Sequence, residues 1–379
     1  MRGDEALSPW YDAVVEVVPQ LRVFDAHTHI GNSDPDGFRL DADGLLTALD
    51  AVAGRAVVFP MNEPSGDYGE ANERVLADAA ASSGRLVPFC RLDPNGEPVA
   101  EAARCMEAGA RGIKLHPRAE RFDLGLPVVR EIFAFAERRR LPILVHSGGG
   151  IAPLAEAVRE LTAGFPEVPL ILAHAAVSDF TALWRRVPDC PSLFFDTSWW
   201  NAADLLALFA LVPPGRILYG SDSPYETPLQ NAVLTLRSAV QAGVQPEHLP
   251  SVMGAQLERL LAGEAADGLG PAPGTGRLRS TVLLQRIYAD LVCAIAEMRI
   301  GESGYEGLTL ARRACEGAEG TEEEPVLRSV LALLDLYQDY VDQGAGEPAT
   351  AHAPGYPLVA SAAAVASTPD APLPPGVGA

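Results

Sequence analysis

The residues best suited to chemistry are five histidines, one lysine and one aspartate that recur at similar places along the chain. His27 and His29 lie in the stretch Val-Phe-Asp-Ala-His-Thr-His-Ile-Gly at residues 23–31. In an extended strand, residues i and i+2 share a face, so two imidazoles project side by side and suit one metal ion. A histidine pair in a polar loop is the alternative, and the pair alone leaves both interpretations open.

Further chemically active residues follow other short apolar runs. Lys114 and His116 occur in Gly-Ile-Lys-Leu-His-Pro, His146 in Leu-Val-His-Ser-Gly, His174 in Leu-Ala-His-Ala and Asp222 in Gly-Ser-Asp-Ser-Pro. Five of the seven histidines therefore stand at the ends of apolar runs, which unrelated histidines would not do. Neutral imidazoles with a carboxylate are the ligands of catalytic zinc and related divalent ions.

Such a ligand set predicts a specific kind of chemistry. A bound divalent ion lowers the pKa of a water molecule to about 7, which supplies a nucleophile at neutral pH. Asp222 and His174 are the candidates to accept the proton of that water and to pass it to a leaving group.

The elements that must position these residues are eight apolar β-like runs that alternate with amphipathic helical patterns. Apolar residues on both faces of each run are typical of parallel sheets covered by helices. The pattern predicts an α/β fold, a (β/α)8 TIM barrel, whose functional residues lie at the strand ends. A doubly wound open sheet is the alternative, but the Gly-rich dinucleotide loop expected after its first strand is missing. The predicted strands cover residues 23–30, 55–61, 86–93, 110–117, 141–147, 170–175, 193–198 and 217–223.

The chain changes character after the predicted barrel. Residues 1–19 form an N-terminal segment, 20–266 the barrel domain, 267–277 a Gly/Pro linker and 278–343 a helical region. The helical region matches no motif, so a cap, an oligomerisation element and a partner-binding module all remain open. Residues 344–379 are rich in Ala, Pro, Gly and Ser and are predicted to be a disordered tail.

Composition and charge limit the partners of this 379-residue chain. Its net charge of −21 argues against binding nucleic acid or an anionic membrane, and a small-molecule substrate is expected. The five cysteines are irregularly spaced without a CxxC pair, which indicates reduced thiols and a cytoplasmic location. Neither a signal peptide nor an apolar run long enough to span a membrane is predicted. A homo-oligomer is left open.

Taken in this order, the motifs resemble the amidohydrolase superfamily. The resemblance is to its amidohydrolase-related branch, which contains hydrolases and aminocarboxymuconate-semialdehyde decarboxylase-like enzymes. It covers roughly residues 20–263. The residues that carry it are His27-Thr-His29, Lys114-Leu-His116-Pro117, His146, His174 and Gly220-Ser221-Asp222.

The resemblance implies roles for the individual residues. His27, His29 and Asp222 would hold one divalent metal ion, expected to be zinc with manganese as an alternative, and Asp222 would double as general base. In single-metal members, the residue matching His146 is a further ligand and the one matching His174 orients or activates the water. In two-metal members, both histidines bind a second ion.

Lys114 is the one lysine in a chain that contains 28 arginines. It stands where the two-metal relatives carry a carboxylated lysine that bridges the ions. Arginine would not serve there, because a guanidinium is not a nucleophile toward CO₂ at neutral pH. Binding of a substrate carboxylate and a simple ion pair are the alternatives for Lys114.

Residues in the loops after the strands are candidates to contact substrate. Arg118 and Arg121 could hold a carboxylate bidentately, although solvated arginines are the simpler expectation. His116, Trp199 and Tyr225 are the further candidates. Asn62, Tyr68 and Trp200 occupy similar positions.

The sequence therefore predicts a metal-dependent hydrolase that uses activated water on an amide, ester or lactone. The alternative enzyme is a metal-dependent non-oxidative decarboxylase of an unsaturated or aromatic carboxylic acid, which needs a cation over the departing carboxylate. A third hypothesis is a non-catalytic barrel whose C-terminal helices bind a partner. The complete set of candidate ligands argues against this third hypothesis, because a scaffold would be free to lose them.

Overall fold

The computed structural model describes residues 3–63, 67–317, 320–344 and 352–376. Over these residues, short parallel strands alternate with helices around a closed barrel. The strands are β1 (Phe24–Ile30), β2 (Arg55–Pro60), β3 (Leu86–Pro88), β4 (Cys90–Arg91), β5 (Ile113–Leu115), β6 (Ile143–Val145), β7 (Leu170–Leu172), β8 (Leu193–Asp196) and β9 (Ile217–Leu218).

Several helices begin where the sequence supplies a capping side chain or a proline. The helices are α1 (Ser8–Val15), α2 (Ala42–Asp50), α3 (Gly69–Ala81), α4 (Pro98–Glu107), α5 (Pro127–Glu137), α6 (Ala155–Gly164), α7 (Phe180–Leu183), α8 (Ala202–Leu211), α9 (Pro228–Ala242), α10 (Gln256–Leu261), α11 (Val282–Met298), α12 (Tyr305–Glu316), α13 (Glu324–Asp342) and α14 (Tyr356–Ser367). Asp41 caps α2 by accepting a hydrogen bond from the N–H of Gly44 at 2.8 Å. Thr227 caps α9, whose first residue is Pro228.

Backbone hydrogen bonds close the barrel. Strands β1–β3 form one hydrogen-bonded run and β4–β9 another. The two runs join at Phe89, whose N–H donates to the carbonyl of Val58 at 2.9 Å. On the other side, the N–H of Ala26 in β1 donates to the carbonyl of Tyr219 after β9 at 2.8 Å. Strands β3 and β4 are thus two parts of one strand, and the predicted barrel with eight strand positions is confirmed.

Each barrel strand is buried on both faces. In β6, Ile143 and Val145 pack outward against helices, whereas Leu144 points into the barrel with Ile171 of β7. This burial on both sides explains the continuous apolar runs in the sequence. Lys114 of β5 stands opposite Leu144 in the strand register and takes the same inward position.

An irregularity in β1 directs the two histidines inward. Between Asp25 and Thr28, strand β1 contains one more residue than its partner β2. Such a β-bulge shifts the alternation of side chains by one position. Ala26 belongs to the interior apolar cluster, and beyond the bulge the rings of His27 and His29 also lie against interior phenylalanine. The bulge therefore decides which face of the strand carries the histidine pair.

The C-terminal helices α11–α14 form a unit packed on the barrel, which we call the C-terminal extension (residues 282–376). Helix α14 contacts α11 and α13 within the extension, and α8 and α9 of the barrel. In α1, Trp10 Nε1–H donates to Ser329 Oγ of α13 at 2.8 Å. Helix α12 falls within the predicted helical region but was not indicated individually by the sequence pattern.

The predicted disorder of residues 344–379 is wrong for residues 352–376. Helix α14 is almost wholly buried, and its sequence is dominated by alanine and valine. Low sequence complexity is typical of disorder, but alanine favours helix and its small side chain allows close packing on every side. Residues 345–351 and 377–379 lie outside the described residues.

Arg237 of α9 anchors the chain that follows α14. Its guanidinium is fully buried and donates to Thr368 Oγ1 and the Thr368 carbonyl, both at 3.0 Å, and to the Pro372 carbonyl at 2.6 Å. Burial lowers the pKa of Arg237 to about 9. Gln241 and Asp370 make a further side-chain hydrogen bond at 3.0 Å between the same two segments.

Two other features agree with the sequence analysis. All five cysteines are free thiols, and four of them are buried, with Cys293 exposed. Over the described residues, no helix has the length and apolar character required to cross a membrane.

Replacing Arg237 by methionine tests whether the C-terminal segment is packed as described. We expect Arg237→Met to lower the free energy of unfolding by about 2 kcal/mol, because buried carbonyl groups lose their donors. Chemical denaturation measures this change. Arg328→Met is the matched control, because Arg328 is exposed and its ion-pair partner among the described residues is Glu324 of its own helix; we expect a change within about 0.5 kcal/mol. Equal, small effects of both substitutions would contradict the packing of this segment.

Candidate metal centre

The candidate site residues converge at the C-terminal end of the barrel. His27 and His29 lie in β1 and Lys114 in β5, while His146, His174 and Asp222 follow β6, β7 and β9. Parallel strands of a barrel bring their carboxyl ends to one face, which gathers residues distant in sequence. The cluster is deeply buried, and the Asp222 side chain is 17% exposed.

Three acceptor atoms face one another in this cluster. The distances are 3.3 Å between His27 Nε2 and His29 Nε2, 3.1 Å between His27 Nε2 and Asp222 Oδ1, and 3.2 Å between His29 Nε2 and Asp222 Oδ1. On the far side of each ring, His27 Nδ1 lies 2.8 Å from Asp196 Oδ2 and His29 Nδ1 lies 3.4 Å from the Pro60 carbonyl. A neutral imidazole that donates through Nδ1–H presents a bare lone pair at Nε2.

This arrangement fits a divalent metal ion. Two bare nitrogen lone pairs and a carboxylate oxygen at contact distance repel one another unless a cation lies between them. Ligands held about 2.0–2.1 Å from a tetrahedral ion are about 3.3 Å from each other, close to the separations seen here. The hydrogen bonds to the Nδ1 atoms fix the ring orientation, as partners of metal-binding histidines do. His27, His174 and Asp222 also form a group whose ligand atoms lie within 4.8 Å of one another.

His146 and His174 form the second part of the cluster. His174 Nδ1–H donates to the Ser198 carbonyl at 2.7 Å, so its Nε2 accepts from His146 Nδ1–H at 2.9 Å. His146 Nε2 is then a bare, buried acceptor, without a hydrogen-bond partner among the described residues. The ring of His116 stacks on that of His146 with 3.8 Å between centroids. His116 therefore lies behind His146 and supports its orientation.

Lys114 lies inside the same cluster. Its side chain is fully buried, with Nζ 3.1 Å from His27 Nε2 and 4.7 Å from the centroid of the Phe59 ring. Burial lowers the pKa of Lys114 to about 7, although the nearby carboxylates of Asp222 and Asp196 oppose this shift. A neutral amine is the form that reacts with CO₂, so the surroundings of Lys114 suit the carboxylation implied by the resemblance.

Electrostatics keep most of the cluster in the form that binds cations. Burial lowers the pKa of His29 to about 3 and that of His146 well below its ordinary value, so both imidazoles are neutral at neutral pH. Burial alone would raise the pKa of Asp222, but His27 and His174 hold it well below its usual range. For His27, burial and Lys114 lower the pKa, yet the charges of Asp196 and Asp222 outweigh them and raise it.

The structure adds residues that the sequence analysis did not identify. Asp196 ends β8 and holds His27, and its Oδ1 accepts from the backbone N–H of His174 at 2.9 Å. Arg91 ends β4 and is fully buried, with its Nη2 2.7 Å from Glu120 Oε1. Both are charged residues at the ends of apolar runs, so the rule that found the histidines could also have found them. Glu120 and Ser198 lie in loops and carried no such signal.

The predicted substrate contacts divide into two groups. Tyr225 packs edge-on against His29 with 5.4 Å between ring centroids, and Trp199 lies 6.0 Å from His174. These two side chains border the cluster. Arg118 and Arg121 are exposed at the surface, and Arg118 lies beside the glycine run after β6.

The other positions considered in the loops have different surroundings. Tyr68 donates to Glu120 Oε1 at 2.6 Å, and Asn62 Oδ1 lies 3.3 Å from the Tyr68 hydroxyl. Trp200 packs against Trp199, with 6.0 Å between ring centroids. A cavity of about 500 Å³ opens beside the end of β1, lined in part by Gly31, and lies next to the cluster rather than over it.

Solved structures with similar folds are distant in sequence. An uncharacterised TIM-barrel protein from Bordetella bronchiseptica is 15% identical, with 64% of this chain and 99% of that chain covered and a TM-score of 0.51. The IDCase of Metarhizium anisopliae is 15% identical, with 64% and 98% covered and a TM-score of 0.51. 4-Oxalomesaconate hydratase from Rhodopseudomonas palustris is 15% identical, with 64% and 96% covered and a TM-score of 0.50. At this identity, the similarity shows a shared fold.

Sequence comparison is more specific for one family. No curated protein matches the chain. A family model described as amidohydrolase matches residues 24–239, a range that includes all six residues of the cluster. Because this match spans more than half of the sequence, the chain belongs to the amidohydrolase family.

Proposed function

We propose that the protein is a metal-dependent hydrolase that acts on an amide, ester or lactone of a small molecule. Members of the family are metal-dependent enzymes. The observation that carries the proposal is the approach of His27 Nε2, His29 Nε2 and Asp222 Oδ1 to 3.1–3.3 Å in a buried site. Zinc is the expected ion, because imidazole nitrogen with one carboxylate suits it best.

The chain's own residues have separate tasks in this proposal. His27, His29 and Asp222 hold the ion, and His146 offers a further lone pair through its buried Nε2. When bound, the ion supplies a water of lowered pKa and polarises the substrate carbonyl. Asp222 is the proton acceptor, since Oδ1 faces the histidines and Oδ2 lies 3.9 Å from His174 Nδ1. His174 orients this carboxylate and stabilises its charge.

Lys114 decides whether one ion or two are held. As a free amine it occupies the space next to His27 Nε2, which leaves one ion with His27, His29 and Asp222. As a carbamate it would offer two oxygens, and His146 and His174 would then be available to a second ion. We propose the single-ion site as the resting form.

The charges around the cluster favour hydrolysis over decarboxylation. A decarboxylase needs a cationic side chain that holds the departing carboxylate. Arg118 and Arg121 are exposed, while the buried Arg91 is neutralised by Glu120 at 2.7 Å. Tyr68 donates to the same Glu120 oxygen at 2.6 Å and further fixes that pair. We therefore propose hydrolysis as the reaction. Decarboxylation is the alternative that the substrate experiment must exclude.

Metal content is the first test of the proposed site. We expect about one zinc or manganese ion per wild-type chain by elemental analysis, and His27→Ala and Asp222→Asn should lose most of it. His248→Ala is the matched control, because His248 is half-buried outside the cluster and should not alter metal content. If the chain instead holds about two ions, with a carbamate on Lys114 seen by ¹³C NMR, the proposed single-ion resting form is wrong and the site holds two ions. A wild-type chain without metal after reconstitution would overturn the mechanism.

Metal binding should depend on pH through His27. In the metal-free protein, the raised pKa of His27 means that its Nε2 holds a proton more strongly than an ordinary histidine. An incoming ion must displace that proton, so metal affinity should fall as the pH falls through this pKa. Calorimetry in two buffers of different ionisation enthalpy, repeated over a series of pH values, should show proton release on metal binding that increases as the pH falls. Proton release that is absent across this range would contradict the assigned protonation.

The reaction itself is tested with substrate libraries. We expect hydrolysis within a panel of amides, esters and lactones, and Asp222→Asn should lower kcat at least about 100-fold, because it removes both a metal ligand and the proton acceptor. Release of CO₂ is measured in parallel with aromatic and unsaturated carboxylic acids. Substitution of Arg118 and Arg121 together should leave hydrolysis intact. Activity confined to CO₂ release, and lost in the double arginine variant, would establish the decarboxylase instead.

A further inference from the structure

The C-terminal extension reaches the loop that carries Asp222. Arg299 follows α11 and Tyr356 begins α14, so both belong to the extension. Arg299 Nη1–H donates to Glu226 Oε1 at 2.8 Å, and the Tyr356 hydroxyl lies 2.9 Å from the same oxygen. Arg299 Nη1 also lies 2.9 Å from the Tyr356 hydroxyl. These three side chains form a closed triangle, and only Glu226 belongs to the barrel.

Glu226 is built into the loop between β9 and α9. It lies four residues after Asp222 and is 3% exposed. Its second oxygen accepts from Gln230 Nε2 at 2.6 Å. A buried carboxylate is costly without partners, and Arg299 and Tyr356 supply two of the partners of Glu226.

Asp222 needs such support because its backbone is in the left-handed region. Its φ is +61°, a conformation that non-glycine residues adopt when the surroundings impose it. Strand β9 ends at Leu218, and beyond it strand β1 still pairs with this segment through a parallel bridge between Thr28 and Ser223. The Asp222 N–H donates to the His27 carbonyl at 2.8 Å, and its carbonyl accepts from the Tyr225 N–H at 2.9 Å. Within this turn the Tyr225 hydroxyl donates to Asp34 Oδ2 at 2.5 Å, and the next residue, Glu226, is the second anchored side chain.

The extension also supports the loop after β8. The Arg299 guanidinium carbon lies 5.5 Å from the centre of the Trp200 ring. Tyr288 of α11 donates to Asn201 Oδ1 at 2.7 Å and accepts from the Ala203 N–H at 3.0 Å. The residues just before Trp200 include Ser198, whose carbonyl orients His174. Both loops that follow β8 and β9 are thus tied to the same unit.

We propose that the C-terminal extension is a positioning element of the metal centre, in which Arg299 acts through Glu226 to hold the Asp222 loop. This inference rests on the proposed function for the identity of the ligand that Asp222 binds. Residues Arg299 and Tyr356 lie outside the range 24–239 matched by the family model. All of the proposed metal ligands belong to the barrel. Their positions nevertheless depend on the C-terminal extension, which is not part of the matched family domain.

The test uses the full chain and two readouts. Arg299→Met should weaken zinc affinity on the order of tenfold, measured by competition with a chromogenic chelator. It should also raise hydrogen–deuterium exchange of the peptide spanning residues 220–227 in the metal-free protein. The double variant Glu226→Gln/Arg299→Met should recover most of the affinity, because no unpaired carboxylate then remains. Arg299→Lys, which keeps the charge, should lose less than Arg299→Met.

The matched control lies within the same extension. Arg312 Nη1 pairs with Asp335 Oδ1 at 2.5 Å between α12 and α13, so its ion pair lies within the extension. We expect Arg312→Met to leave zinc affinity and loop exchange unchanged. Circular dichroism checks that each variant is folded. If Arg299→Met does not fold, Tyr356→Phe, which removes only one hydroxyl, takes its place in the experiment.

The outcomes separate the two proposals. Unchanged loop exchange in Arg299→Met would overturn the positioning role, whether or not the protein binds metal. Equal weakening of zinc affinity in Arg299→Met and Arg312→Met would also overturn it, because the effect would then be general destabilisation. A wild-type chain that binds no metal, but whose loop loosens in Arg299→Met, would overturn the proposed function and leave the positioning role standing.

Discussion

The mutual repulsion of lone pairs at the end of the barrel is the constraint on which the site depends. His27, His29 and Asp222 bring three acceptor atoms to 3.1–3.3 Å, and their surroundings exclude most of the water that would otherwise separate them. In the metal-free protein, a proton on His27, whose pKa the carboxylates of Asp196 and Asp222 raise, partly offsets the repulsion. A divalent ion would offset it more completely, because it accepts all three atoms at once. The contacts of His27 Nδ1 with Asp196 and of His29 Nδ1 with the Pro60 carbonyl hold the two rings in this unfavourable arrangement.

Much of the site could be predicted because the barrel converts sequence position into spatial position. A residue that follows an apolar run is delivered to the same face of the barrel, whichever strand it follows. His27, His146 and Asp222 are far apart in sequence, and that rule alone predicted that they lie close together. The same rule overlooks residues such as Ser198, which acts through its backbone carbonyl, since a carbonyl has no signature in the sequence.

The remaining differences between prediction and structure have identifiable causes. The bulge in β1 is a local departure from strand geometry, and the run from Asp25 to Thr28 carries no glycine or proline to announce it. The segment of helix α14 was predicted to be disordered because it is rich in a few small residue types. Composition of this kind does not reveal which other helices pack around the segment. Its alanine and valine side chains become a core only when α9, α11 and α13 enclose them. That enclosure depends on contacts across the whole chain, which local composition does not encode.

The site residues differ in how firmly the sheet holds them, and this difference explains why the barrel needs the extension. His27, His29 and Lys114 lie within strands, so backbone hydrogen bonds on both sides fix their positions. His174 and Asp222 lie beyond the strands with φ angles of +59° and +61°, and side chains from elsewhere help to hold the loop of each. For His174 those side chains are Asp196 and Ser198 of the barrel itself. For the Asp222 loop, two of the partners of Glu226 are Arg299 and Tyr356, which come from the helices after the barrel. The extension therefore contacts the loop that carries one of the candidate metal ligands.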